Sequence, residues 1–333
     1  MRKPNFNNIL KVLRREAPDR PTLFEFFLNH KLYSHLIGCE ATDIMYPYIN
    51  AAQMTKAFAA AGYDYATVHG SEFHFPTGKR EHIKTQSLND NATIVDRASF
   101  DAYKWPSADD CDYTWMQDAQ MPEGMKFMVC GPSGVLENTI ALVGYDNLAM
   151  MIYDDPELVS DVFNEVGSRL LRHYELSVQY NSVGFIMVND DWGFKTQPML
   201  APEDMRKYVI PWHKKIVAAA HNAGKPAVLH SCGNLRTVMD DIIDDIKFDG
   251  KHSYEDNIQP VEDAYREYGS RIAVLGGIDL DFIVSKTPDE VYARSKKMLE
   301  LGQKGYALGT GNSVPEYVPQ ENYFAMTKAA TEV

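Results

Sequence analysis

Apolar and polar positions along this chain alternate on two length scales. Short runs of strand length recur at 22–27 (TLFEFF), 65–70 (YATVHG), 127–131 (FMVCG) and 185–190 (FIMVND). They continue at 227–231 (AVLHS), 250–253 (GKHS), 272–277 (IAVLGG) and 306–311 (YALGTG), with GKHS read as a strand from its context. A short apolar run bounded by turn-forming residues is the pattern of a strand buried on both faces. Longer amphipathic segments separate most of the runs, so the chain reads as repeated βα units with a parallel sheet. Eight such units predict an α/β fold of the (β/α)8 TIM-barrel type, a single domain over residues 1–333. A doubly wound sheet is disfavoured because no Gly-rich dinucleotide fingerprint follows the first strand. One interval breaks the alternation. Residues 71–124, with a hairpin-like piece (EFHFPTGKREHIKTQ, then NATIVDR) and Trp105-Pro106, read as an insertion after the second expected strand, capping the barrel mouth.

Helix boundaries carry their own chemistry. Thr287, Pro288 and Glu290 form an N-cap, a first-turn proline and a capping box. Asp155 and Pro156 open a second helix, expected to reach about Tyr180. A third opens on Pro202 and stops at Gly224, with Pro211 expected to kink it and Met205, Val209, Trp212, Ile216 and Ala220 on its core face.

Composition narrows the partners. With 45% hydrophobic and 24% charged residues, a chain of 333 residues can bury a large core. Its formal net charge of -13 argues against a nucleic-acid backbone as partner and leaves a small molecule or another protein. The N-terminal MRKPNFNNILKVLRRE has no continuous apolar stretch, and no run of the chain approaches the length of a membrane span, so a cytoplasmic protein is expected. Four cysteines without tight spacing, Cys39, Cys111, Cys130 and Cys232, are expected to be reduced thiols, one of them a ligand candidate.

In a parallel barrel the loops after the strands make the catalytic face. Those positions are polar here. Alternation along an extended chain puts His230 and Cys232 on one face, and imidazole with thiolate is a donor pair that suits zinc. The third ligand is open among Asp191, Glu137, His252, Glu72 and Cys130. Asp190 and Asp191 are candidate catalytic carboxylates, with helix capping as the structural alternative. Glu25, His69, Trp192, His252, Glu255 and Asn312 are the candidate substrate contacts, and Phe73, Phe75 and Trp105 either wall a pocket or pack the insertion.

From about RPTLFEFF to ENYFAM the chain resembles the uroporphyrinogen decarboxylase superfamily. The resemblance is carried by NDDWGFKTQPMLAPEDMRKYVIPWHKKIVAAAHNAGKPAVLHSCGN, KHSYEDNI, VLGGIDLDFI with TPDEV, and ALGTGNSVPEYVPQENYFAM. It implies a (β/α)8 barrel. Authentic decarboxylases carry a basic RQAGR motif after the first strand, whereas TLFEFFLNHKLYSH has no arginine. The thiol-directed corrinoid methyltransferases of the superfamily hold zinc through an H-x-C pair and a later cysteine near the eighth strand. His230 and Cys232 match the pair, and Thr310 stands where the later cysteine is expected. With a carboxylate or His252 completing the set in place of that cysteine, the chain resembles the demethylating methyltransferases of the superfamily. That resemblance implies a zinc-dependent methyltransferase moving a methyl group between a small substrate, a methoxylated one included, and a corrinoid. No D-x-H-x-x-G signature is present, so that corrinoid would sit on a partner protein. A tetrapyrrole carboxy-lyase is the alternative activity, and a non-catalytic binding barrel the third reading.

Overall fold

The computed structural model describes residues 2–41, 51–77, 88–89 and 92–332. Seven of the expected strands form one parallel sheet. These are β1 (Tyr65–His69), β2 (Lys126–Cys130), β3 (Val183–Asn189) and β4 (Ala227–His230), then β5 (Gly250–His252), β6 (Ala273–Leu275) and β7 (Tyr306–Ala307). Their spatial order is their sequence order, so every connection is a crossover between parallel neighbours. Side chains alternate between two buried clusters. Along β3, Phe185 and Met187 belong to one cluster and Ile186 and Val188 to the other; along β4, Val228 belongs to the first and Ala227 and Leu229 to the second. The sheet is thus buried on both faces, which is why its strands read as continuous apolar runs.

The run 22–27 forms no strand ladder. It touches β7's continuation through an isolated parallel bridge between Leu23 and Leu308. There Phe24 N–H donates to Leu308 O and Leu308 N–H to Thr22 O, each at 2.8 Å. On the β1 side a side chain replaces the ladder: the Tyr65 hydroxyl accepts from Glu25 N–H at 2.7 Å and donates to Glu25 O at 2.6 Å. One buried phenol therefore satisfies both backbone groups that a neighbouring strand would have paired. The segment links the two edges of the sheet without the eighth ladder.

Helix chemistry follows the expected boundaries closely. Thr287 and Glu290 make a reciprocal capping box on helix Pro288–Leu301. Asp155 caps helix Pro156–Ser177 by accepting from Leu158 N–H. The segment expected to kink at Pro211 is Pro202–Asp204, a π-helical stretch Met205–Val209, and then Ile210–Asn222. Proline lacks the donor for its own turn and its ring crowds the carbonyl four residues back, and the wider π turn ahead of it relieves that crowding.

The hairpin expected in 71–124 lies partly outside the described residues. Among those described there, the regular elements are the helix Arg97–Ala102 and two single 3-10 turns. Phe73 and Phe75 are buried against each other, Phe75 meets Trp105, and Phe73 stacks on His173. Arg169 lies over the Trp105 ring and Arg172 pairs with Asp109, so these aromatics pack the segment against helix Pro156–Ser177. No helix among the described residues is long and apolar enough to cross a membrane.

Candidate metal centre

The alternation that sorts the core also sorts the site. Asp191 continues the Phe185, Met187, Asn189 face of β3, and His230 and Cys232 continue the Val228 face of β4. Strand pairing holds Asn189 level with His230 and His230 level with His252. One ligand atom each from Asp191, His230 and Cys232 lies within 4.8 Å of the others. Cys232 Sγ is 3.8 Å and Asp191 Oδ1 3.9 Å from His230 Nε2. Donor atoms around a four-coordinate zinc stand about 3.3–3.7 Å apart, so small shifts would bring these three into register.

Backbone geometry fixes the trio. Cys232 N–H donates to Asp191 Oδ1 at 2.8 Å, and Trp192 N–H to Ser231 Oγ at 3.0 Å. The loops after β3 and β4 cross backbone to backbone at Gly193 and Gly233. A Cβ on Gly233, whose φ is +88°, would lie 2.1 Å from Gly193 O. The glycine after Cys232 is thus a requirement of two crossing loops.

Hydrogen bonding decides which imidazole nitrogen is free. His252 Nε2 is 3.1 Å from Thr310 O, a carbonyl that can only accept, so the proton of neutral His252 sits on Nε2. His252 Nδ1 is then an acceptor, and His230 Nδ1–H donates to it at 2.8 Å. His230 Nε2 is left with its lone pair facing Cys232 and Asp191. Burial keeps both rings neutral, pushing His230 down to about 3 and His252 well below the usual range. An oriented, neutral imidazole is the form that binds a metal.

The other ligands are held off their charged forms. Burial, then the Asp191 charge, pushes the Cys232 thiol up to about 12, while Ser253 Oγ (3.2 Å) and Asn312 Nδ2 (3.1 Å) donate to its sulfur. Burial also raises Asp191, opposed by the Cys232 N–H bond. Glu137 is pushed up to about 8 by burial and by the charges of Asp190 and Asp191. A divalent cation would offset the charge of both anionic ligands, so carboxylate, imidazole and thiolate fit zinc with one position open.

The remaining expected residues are placed differently. Asp190 follows Ile186 and Val188 to the helix side of the sheet, away from the trio. It is fully buried and accepts from Leu136 N–H, Glu137 N–H and His213 Nε2 at 3.0, 2.9 and 2.9 Å. Trp192 shares that face, fully buried with its ring edge-on to His213, so it walls no opening. Glu25 is fully buried on Thr310, and His252 stands behind His230. His69, Glu255 and Asn312 keep partial exposure. His69 lies beside Cys130, 3.7 Å from its sulfur, with Phe27 stacked on its ring. Thr310 serves Glu25 and His252, and it is Asn312, two residues on, that reaches Cys232. Lys251 and Ser253 were not among the expected site residues. A lysine inside a buried strand was the available signal for the first; a backbone conformation, invisible in sequence, accounts for the second.

Comparison with known proteins bears on this site. The family model described as uroporphyrinogen decarboxylase (URO-D) matches residues 130–333. A uroporphyrinogen decarboxylase of Geobacter sulfurreducens is 25% identical over 185 residues, 55% of this chain and 51% of that protein. A methylcobamide:CoM methyltransferase MtbA of Methanosarcina acetivorans is 28% identical over 137 residues, 40% of this chain and 38% of that protein. The matched stretches span about half or less of those curated relatives' length. A solved methyltransferase from Methanosarcina mazei aligns over 98% of this chain and 97% of its own, with a TM-score of 0.68 at 16% identity, which is a likeness of fold. The family match takes in β3 to β7 and all three residues of the Asp191, His230 and Cys232 cluster, and the chain belongs to the uroporphyrinogen decarboxylase family.

Proposed function

We propose that the protein is a zinc-dependent methyltransferase that moves a methyl group between a small, methoxylated substrate and a corrinoid carried on a partner protein. The observation that carries this reading is the convergence of Asp191, His230 and Cys232, with the lone pair of His230 turned toward the other two. The fold is read as a (β/α)8 barrel whose first strand has shrunk to the bridge at Leu23, and the loops after β3, β4, β5 and β7 are its catalytic face. Zinc, when bound, supplies a Lewis acid toward the atom that carries the methyl group.

The chain's own residues set the rest. His230 offers Nε2 because His252 and the Thr310 carbonyl fix its tautomer. Asp191 takes the place a second thiolate would occupy, and a carboxylate returns less electron density than sulfur, which favours an oxygen-bound methyl group. Glu255, Asn312 and His69, partly exposed at the strand ends, contact the substrate; Glu25, Trp192 and His252 support the site from behind. Asp190 anchors the loop that carries Asp191. The decarboxylase reading lacks the arginines that a tetrapyrrole's carboxylates require, since 22–35 contains none.

Metal analysis of protein purified without chelator is the test. About one zinc per chain, lost in Cys232→Ser, is expected. Absence of zinc together with an unchanged Cys232→Ser protein would sink the reading. With zinc present, methyl transfer from a methoxylated aromatic to cob(I)alamin, followed by the corrinoid absorbance, separates it from tetrapyrrole decarboxylation.

A further inference from the structure

Ser253 adopts φ of +83°, a region that residues with a Cβ avoid. It directly follows β5, where alternation would turn residue 253 to the face opposite His252 and so away from Cys232. The positive φ breaks that alternation, and Ser253 Oγ donates to Cys232 Sγ at 3.2 Å.

The conformation is held by a buried cation. Lys251, 3% exposed, donates through Nζ to Ser253 O at 2.7 Å and more loosely to Ser231 O at 3.3 Å and His252 O at 3.5 Å. Its ammonium also lies 4.4 Å from the centre of the Tyr254 ring, and Tyr254 N–H donates to Gly311 O at 3.1 Å. One ammonium therefore ties the end of β4 to the turn after β5. Strained non-glycine backbone persists where its surroundings over-determine it, and such positions gather at functional sites.

We infer that Lys251 and Ser253 are a positioning device for the metal site. The ammonium locks the left-handed turn, and the turn delivers a hydroxyl donor to Cys232, which together with the Asn312 amide holds the sulfur as an oriented thiolate. This rests on Cys232 being a zinc ligand. It adds two residues whose task is ligand geometry, not contact with metal or substrate.

Ser253→Gly and Ser253→Ala in the full chain separate this role from a merely structural one. Zinc affinity is measured by competition with a chromophoric chelator, and thermal unfolding is followed on metal-free protein. Glycine relieves the strain and removes the hydroxyl, so metal-free Ser253→Gly should melt no lower than wild type while binding zinc about tenfold more weakly. Ser253→Ala should lose affinity similarly without gaining stability. Wild-type affinity in both variants, or a Ser253→Gly that loses stability along with affinity, would overturn the positioning role. Should Cys232→Ser abolish zinc binding while both Ser253 variants keep it, the metal site stands and only the positioning role falls. Should Cys232→Ser bind zinc like wild type, both fall together.

Discussion

His230 and His252 meet nitrogen to nitrogen, Nδ1 to Nδ1 at 2.8 Å, and the proton between them belongs to His230 because His252 spends its own on the Thr310 carbonyl. His252→Phe keeps ring volume against Phe24 but removes the acceptor. The His230 donor is then buried without a partner, at a cost of about 1–3 kcal/mol, and the ligand is free to change tautomer. Zinc affinity is expected to fall about 10- to 100-fold. Chelator competition and urea unfolding on the same samples check both effects, and unchanged affinity would remove the relay from the site.

Glu25 is expected to be a neutral acid in the folded protein. Its carboxyl is fully buried and accepts from Thr310 N–H at 2.8 Å and from the Thr310 hydroxyl at 2.7 Å, two bonds that oppose the effect of burial without cancelling it. Burial raises this carboxyl from 4.5 to about 8. A raised folded value means that the folded state holds the proton longer. The associated stability is complete below about 4.5 and is lost as pH rises to about 8. Glu25→Gln retains an acceptor for Thr310 N–H and a donor for its hydroxyl, without the ionisation. Its stability relative to wild type should therefore climb from pH 5 to 8, by at most about 1.4 kcal/mol per pH unit. Urea unfolding of both proteins across that range tests this; parallel pH profiles would mean that Glu25 is ionised.

Much of this site was readable from strand parity. His230 and Cys232 are two apart, and their shared face needed only an extended β4. The same rule, carried along β3, separates Asp191 from Asp190 and Trp192, because residues 189 and 191 share the face of Met187 while 190 and 192 share that of Val188. Offering both aspartates as candidate catalytic carboxylates missed that division, although Asp191 alone stood among the expected ligands. Other features depend on contacts between distant residues. Tyr65 replaces a strand pairing through its side chain, so an apolar run at 22–27 looked like a strand whose ladder does not form. His252 looks like any strand-end histidine until its neighbours show that it stands behind a ligand. Ser253 is inconspicuous because what makes it unusual is a backbone angle.

Gly233→Ala tests the crossing of the two ligand loops. The new Cβ would meet Gly193 O at 2.1 Å in a residue whose φ is +88°. Gly224 provides a control, with φ of +70° and nothing within 4 Å of its Cβ. Gly224→Ala should therefore cost only the left-handed strain, about 1 kcal/mol. Gly233→Ala should cost clearly more, and should weaken zinc binding by parting Cys232 N–H from Asp191. Equal losses in the two variants would show that the loops are not in contact at Gly193.

Asp190 and Asp191 should separate under the same substitution. The helix Val135–Val143 has Gly134 at its N-cap and no side-chain cap of its own, so the Asp190 carboxylate supplies acceptors for Leu136 and Glu137 from a neighbouring strand while also holding His213. A Cβ on Gly134 would lie 2.1 Å from Asp190 Cβ, a measure of how closely the helix end sits on this residue. An amide has a single acceptor oxygen, so Asp190→Asn turns a donor toward at least one donor in a fully buried place. About 3 kcal/mol of stability should be lost. The zinc affinity of the folded fraction should stay near wild type, because Asp190 faces away from the cluster. Asp191, with 35% of its side chain exposed, has less to lose from burial of an amide, so Asp191→Asn should unfold near wild type yet release zinc. Thermal melts paired with metal analysis of both variants decide it. A catalytic Asp190 would give the reverse pattern, a stable Asp190→Asn protein that binds zinc and does not turn over.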